Sequence, residues 1–230
     1  MNQFKMRDLG ELSWCLGMRI KCNRKHGTIS IDQSKYAANL LQKCETKLTD
    51  EENLVLHRIP YQQAIVSLLY LDQSTRLDIA YAVGVLSRFN SNYRKIHWEA
   101  VKQIMRYIKG TVNVGIAFRK SGTTETEGFC DADYASDLHQ RLSTTGYIFK
   151  LAGPAVSWTS KRQQTVALST TEAEYMALSA AAQELVYLQG LLRELCVSHS
   201  EKPGKFSVNL VHELTSRELV GVLETINFTL

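Results

Sequence analysis

Residues 129–137 read Phe-Cys-Asp-Ala-Asp-Tyr-Ala-Ser-Asp, and this stretch decides the fold. Gly128 to Tyr134 is predicted to be a short strand that ends in acids. Alternation along a strand puts Asp131 and Asp133 on one face. Aspartate is depleted from strands, so a pair there needs a reason. Working outward, Thr145 to Leu151 is rich in aromatic and β-branched residues and predicts a second strand. Gly153-Pro154 predicts a turn, and Ala155 to Thr159 a strand returning from it as a hairpin. A long helix follows. Ser169-Thr170-Thr171-Glu172 fits a capping box, and Thr171 to Glu174 repeats that spacing. Its apolar stripe is Ala173, Met176, Ala177, Ala180, Ala181, Leu185, Leu188, Leu192 and Leu195, with small residues first, which permits close approach to a sheet. His199 to Gly204 closes the helix, Phe206 to Val211 predicts a fourth strand, and Thr215 to Leu223 a final helix. Three antiparallel strands, a long helix, a strand and a helix make an α+β domain with a mixed sheet.

The upstream half differs in kind. Leu16 to Ile20 is a short apolar segment, Lys25-His26-Gly27 a turn, and Thr28 to Ile31 an alternating strand. Gln33 or Ser34 is placed to cap a helix carrying Tyr36, Leu40 and Leu41, and residues 45–59 read as a polar loop. Three helices are then predicted: Tyr61 to Leu71, broken by Gln73-Ser74-Thr75; Leu77 to Phe89; and His97 to Lys109. The last has an apolar stripe of Trp98, Val101, Met105 and Ile108. Lys102, Arg106 and Lys109 border it as a basic strip, read either as a solvated helix face or as a nucleic-acid contact. Ser121-Gly122-Thr123-Thr124 is the expected boundary between a first unit, 1–120, and a second, 121–230.

Charge supports that division. Residues 1–120 carry 19 Lys/Arg against 10 Asp/Glu, and residues 121–230 carry 8 against 13, so the net +4 hides a basic half and an acidic half. Ordinary globular composition, 44% hydrophobic and 22% charged, excludes a disordered or fibrous chain. The five cysteines are widely spaced with no Cys-x-x-Cys pair, which excludes a zinc ribbon and predicts reduced thiols. No apolar run is long enough to span a bilayer, and residues 1–5 show no signal-peptide core. The expectation is an intracellular protein, cytoplasmic or nuclear, with no membrane partner.

Clustered carboxylates repel unless they share a proton or a cation. Glu174, in the first turn of the long helix, approaches Asp131 if that helix packs on the strand. Oxygen donors of this kind favour Mg²⁺, and paired Mg²⁺ ions are a device for phosphodiester hydrolysis. The bland alternative reads Glu172 or Glu174 as favouring the helix dipole, and Asp133 and Asp137 as surface turn acids.

Taken together, FCDADYASD at 129–137, RLSTTGYIFKLAGPAVSWTSKRQ at 141–163 and ALSTTEAEYMAL at 167–178 resemble the ribonuclease H domain of copia-type LTR-retrotransposon polyproteins. FKMRDLGELSWCLGMRI at 4–20, SLLYLDQSTRLDIAYAVGVLSRF at 67–89 and HWEAVKQIMRYIKGT at 97–111 resemble the end of that family's reverse transcriptase and the helices that join it to ribonuclease H. The resemblance runs from about residue 4 to about 200. It implies a helical connection segment followed by a ribonuclease H-like domain acting on RNA in RNA–DNA hybrids. It also implies that Asp131 and Glu174 are the catalytic residues and Mg²⁺ ligands, with Glu172 and Asp133 as neighbours. Lys161 and Arg162, at the end of the hairpin, are expected to touch a nucleic-acid backbone.

The chain departs from the family pattern in two places. The polymerase motif of two adjacent aspartates is absent and is expected to lie before residue 1, so no DNA synthesis is expected. The family's later strand ends in Asp-Asn-Gln, followed further on by a final aspartate. Here the strand reads KFSVNLVHEL at 205–214, and the last aspartate of the whole sequence is Asp137. The domain is therefore expected to be incomplete and to diverge after about residue 203. Two carboxylates are not expected to hold two Mg²⁺ ions in register. Glu213 is a poor substitute because its side chain is longer and its register uncertain. The function expected is a retrotransposon polyprotein fragment with impaired hybrid ribonuclease activity. The alternatives are a non-catalytic nucleic-acid-binding remnant, whose affinity would fall with salt, and a host-adopted interaction module.

Overall fold

The computed structural model describes residues 10–48, 60–120, 126–137, 139–195 and 208–210. The first sheet is built from β1 (Trp14–Cys15), β2 (Met18–Asn23), β3 (Thr28–Asp32) and β4 (Ile116–Arg119), all antiparallel in that order. Leu16 does not belong to a strand. With Gly17 it forms the two-residue turn of the first hairpin, both at positive φ (49° and 75°), which suits the twist of the flanking strands. β4 has no counterpart in the sequence reading, because a strand of four residues after a helix carries too short an alternation to stand out.

Helix α1 (Ser34–Leu48) leaves β3 through an Asp32 turn: the Asp32 carboxylate accepts from both the backbone N–H and the hydroxyl of Ser34, at 3.1 and 2.6 Å. Gln33 takes the N-cap position, its carbonyl accepting from the Ala37 N–H at 2.9 Å, and residues 45–48, expected in a loop, extend the helix. Helix α2 (Tyr61–Thr75) runs one turn beyond its predicted end, straight through Gln73-Ser74-Thr75. It stops at Arg76, followed by a short 3-10 helix (Leu77–Ile79), α3 (Ala80–Ser87) and α4 (Lys95–Gly110). The core of this half forms where the apolar stripes of α1–α4 meet. Ile65, Leu68, Val83, Val101, Ile104 and Ile108 are fully buried there. Trp98, Val101, Met105 and Ile108 all take the inward positions read from their spacing.

The second sheet has the strand order β7-β6-β5-β8, with β5 (Thr126–Asp133), β6 (Thr144–Leu151), β7 (Ala155–Arg162) and β8 (Val208–Leu210). β5, β6 and β7 form an antiparallel meander, while β8 lies parallel to β5, with Gly128 opposite Val208. A parallel neighbour requires a crossover. Helix α5 (Thr170–Glu194) precedes β8 and packs on β5 and β6. The mixed sheet and its packed helix are as expected, and Phe206–Val211 contains the fourth strand. The predicted boundary at 121–124, the helix at 215–223 and Glu213 lie outside the described residues.

α5 starts at Ser169, whose hydroxyl accepts from the Glu172 N–H at 3.1 Å. Glu172 reaches back one residue further than a capping box requires, to the Leu168 N–H at 2.6 Å. Ala173, Ala177 and Ala181 are buried, and their small side chains bring the helix close to Cys130 and Phe149. Leu195, predicted inward, is 64% exposed because the helix ends there. The same close packing governs Gly128. A Cβ there would stand 2.5 Å from Cε1 of Phe149, a ring only 3% exposed. Gly128→Ala is expected to lower stability by about 1–3 kcal/mol through overpacking. Thermal melts of the two proteins check this, and an unchanged midpoint would show that the ring yields freely.

Candidate functional site

Asp131 and Asp133 lie at the end of β5, opposite Gly146 and Thr144 of β6. The ladder is unbroken along β5, so alternation holds. Cys130 faces α5, and Asp131 and Asp133 share the opposite face. Glu174, expected in the first turn of α5, is its fifth residue, so the first-turn acid is Glu172; the Oε2 of Glu174 is buried. The expected catalytic acids Asp131 and Glu174 both lie near Cys130. Both act on one atom: burial, then the charges of Glu174 and Asp131, push the Cys130 thiol pKa up. The carboxyl of Asp133 is also raised, by desolvation first and by Asp131's charge, against a lowering hydrogen bond from Ser136. Among the described residues no group of three or more His, Cys, Asp or Glu side chains is arranged to hold a metal ion.

The β5–β6 connection is a built loop. Ala135 and Arg141 adopt positive φ (51° and 55°), and the Ala135 N–H donates to the buried Ser143 hydroxyl at 3.0 Å. Asp137 is its keystone. Its Oδ1 accepts from the N–H groups of His139 and Gln140, and its Oδ2 accepts from Arg162 Nη1 at 2.5 Å and stands 3.9 Å from Arg88. Burial alone would raise the Asp137 carboxyl, but Arg162 and the two amides overcome it and hold the carboxyl below its ordinary value. Asp137 is therefore more than a surface turn acid. It ties the strand end of β7 to the C-terminus of α3.

The expected nucleic-acid residues divide. Lys102 is only 6% exposed and ion-paired to Glu99 at 2.8 Å, so it leaves the basic strip. Its position, i+4 from Trp98 and one residue past Val101, puts its stem on the inward stripe of α4. Arg106 and Lys109 are exposed on the same helix, and Lys161 is exposed on β7. Arg162 is half-buried against Asp137.

A second concentration of polar groups escaped the sequence reading. α2 and α3 cover the free end of β7 and leave a groove of about 610 Å³. Asp72, Tyr81, Arg88, Trp158, Lys161 and Arg162 line it. Asp72 is 8% exposed, and burial pushes its carboxyl up to about 6, against a hydrogen bond from Trp158 that lowers it and the Asp78 charge that raises it. The signal was available: Asp72 follows Ile65 and Leu68 at i+7 and i+4, a carboxylate on an apolar stripe. The groove and the β5 acids are neighbours, since the charge of Asp133 raises the Tyr81 hydroxyl pKa after the larger effect of burial.

No helix among the described residues is long and apolar enough to cross a membrane. No protein-family model and no solved structure matches the chain. Curated proteins do. The chain is 39% identical over 221 residues to the retrovirus-related Pol polyprotein from transposon TNT 1-94 of Nicotiana tabacum, covering 86% of this chain and 16% of that one. It is 32% identical over 197 residues to the uncharacterized mitochondrial protein AtMg00810 of Arabidopsis thaliana, covering 80% and 81%. It is 50% identical over 133 residues to secreted RxLR effector protein 161 of Plasmopara viticola, covering 58% and 94%. The chain spans about a sixth of the TNT 1-94 polyprotein. The order of its sequence blocks and these likenesses over most of its length agree, and the chain belongs to the retrovirus-related Pol polyprotein family of copia-type transposons.

Proposed function

We propose that β5 to β8 with α5 form a ribonuclease H-like domain that acts on the RNA strand of RNA–DNA hybrids, with catalysis impaired. The observation that carries this reading is the topology of the second sheet. A three-stranded antiparallel meander is followed by a helix and a strand parallel to the first, with Asp131 on the central β5 and Glu174 near the start of the helix. The acids lie at one end of the sheet, where a phosphodiester can approach. Asp131 and Glu174 are the residues that would hold Mg²⁺, and the ion would supply charge stabilisation at the scissile phosphate. Two carboxylates fit one weakly held ion and do not fit a pair, which accounts for the impaired catalysis.

Exposed Arg106, Lys109 and Lys161 support a nucleic-acid partner, held through phosphate contacts whose strength falls with salt. Cleavage of a labelled RNA–DNA hybrid in Mg²⁺ tests the catalytic part. Little or no turnover is expected from the wild-type chain. Robust cleavage that disappears in Asp131→Asn would sink the impaired reading and establish an active ribonuclease. Retained hybrid binding after charge reversal of Arg106, Lys109 and Lys161 together would count against the nucleic-acid partner.

A further inference from the structure

The groove between α2–α3 and β7 has a floor and a rim of different chemistry. On the floor the Trp158 indole lies close enough to Asp72 to lower its carboxyl pKa, and Asp72 Oδ1 is buried with no hydrogen-bond partner among the described residues. A buried carboxylate oxygen left without a donor carries a desolvation cost that a ligand N–H would offset. On the rim stand Arg88, Lys161 and Arg162, with Asp137 paired to Arg162 and 3.9 Å from Arg88, and Asp133 near enough to act on Tyr81. Burial and then the charge of Arg162 lower the Arg88 pKa, so the two guanidiniums are close enough to repel. An added anion would relieve that repulsion. Tyr81 and Trp158 supply aromatic walls. The volume, about 610 Å³, lies within the range of small-ligand sites.

A ligand that fits carries an N–H edge at one end, a flat ring, and an anion at the other end. We infer that this groove binds one unpaired nucleotide, its base edge on Asp72 and its phosphate at Arg88 and Lys161. Guanine fits best, because its two adjacent N–H donors match a carboxylate while uracil offers a single N–H flanked by acceptors. A basic peptide side chain would satisfy Asp72 but would have to pass the cationic rim. The inference rests on the nucleic-acid reading above and adds to it a position and a base preference.

The full wild-type chain, labelled with ¹⁵N at its indoles and kept free of Mg²⁺, is titrated with guanosine and uridine 5′-monophosphate. The Trp158 signal is assigned by its loss in Trp158→Phe. Guanosine monophosphate is expected to move that signal, with uridine monophosphate at least about fivefold weaker, the lower end of one bidentate base contact. Asp72→Asn is expected to erase the preference, and Lys161→Glu to weaken both nucleotides. No movement at millimolar guanosine monophosphate, equal affinity for the two nucleotides, or a preference that survives Asp72→Asn each overturn the inference. If Asp72→Asn does not fold, unchanged guanosine monophosphate affinity in Lys161→Glu overturns it alone. No cleavage enters this measurement, so an inactive ribonuclease leaves the result standing, and an empty groove leaves the cleavage assay standing.

Discussion

Arg76→Ala is expected to destabilise the chain by about 3–5 kcal/mol, the range for removing one partner of a buried ion pair. Arg76 is 2% exposed. Its guanidinium meets Asp78 in a fork, Nε to Oδ1 at 2.9 Å and Nη2 to Oδ2 at 2.7 Å. It also donates to the carbonyl and hydroxyl of Thr111, at 3.1 and 2.7 Å, and lies 5.6 Å from the ring centroid of Tyr107. One side chain thus joins the end of α2, the 3-10 turn and the C-terminus of α4. Tyr107 completes the set by donating to Asp78 at 2.9 Å. Truncation leaves Asp78 with the phenol alone, strips Thr111 O of a donor and opens a cavity. Arg76→Lys keeps a charge but not the planar fork, so an intermediate loss is expected. Urea unfolding followed by circular dichroism measures both. A loss under about 1 kcal/mol for Arg76→Ala would show that the network is replaced by water without strain.

This network also marks how far the sequence could be read. Elements governed by periodicity were legible: the inward stripe of α4, the β6–β7 hairpin and the alanine face of α5 follow from spacing alone. Ends set by side chains distant in sequence were not. α2 passes through Gln73-Ser74-Thr75 because Thr75 is buried, its hydroxyl bonded to Gln33 Oε1 at 2.7 Å, so its polarity is satisfied by a residue 42 positions away. Lys102 reads as part of a charged strip because helical spacing alone does not show that it is buried and paired to Glu99. In the candidate site, Asp131 and Asp133 were legible as a pair on one face. That this face turns towards Tyr81 and not towards α5 depends on which side of the sheet each helix covers, which no local pattern encodes. The groove is a product of the same layering.

Asp72→Asn is expected to stabilise the chain by up to about 3 kcal/mol at pH 7.5 and by little near pH 4. The Asp72 carboxyl is pushed from 3.8 to about 6, by burial first, with the Trp158 N–H opposing and the Asp78 charge adding. The groups that share its groove are Tyr81 from α3 and Arg88, Lys161 and Arg162 at the rim. A carboxyl raised on folding binds its proton more tightly in the native state, so native stability falls as pH rises. The penalty is absent below the unfolded value, grows between 3.8 and about 6, and is complete above that. A displacement of this size corresponds to about 3 kcal/mol. Asparagine keeps an acceptor for the indole and carries no charge, so the penalty disappears with the substitution. Paired unfolding curves of wild type and variant at pH 4 and pH 7.5 check this, since other titrating groups cancel in the difference. A difference of equal size at both pH values, or a variant less stable at pH 7.5, would remove the buried charge as the cause. The same substitution is expected to erase the guanine preference of the groove. A residue with a purely structural role loses stability when changed. Here stability is expected to rise while ligand discrimination falls, and those opposite signs distinguish a carboxylate held for binding from one held for packing.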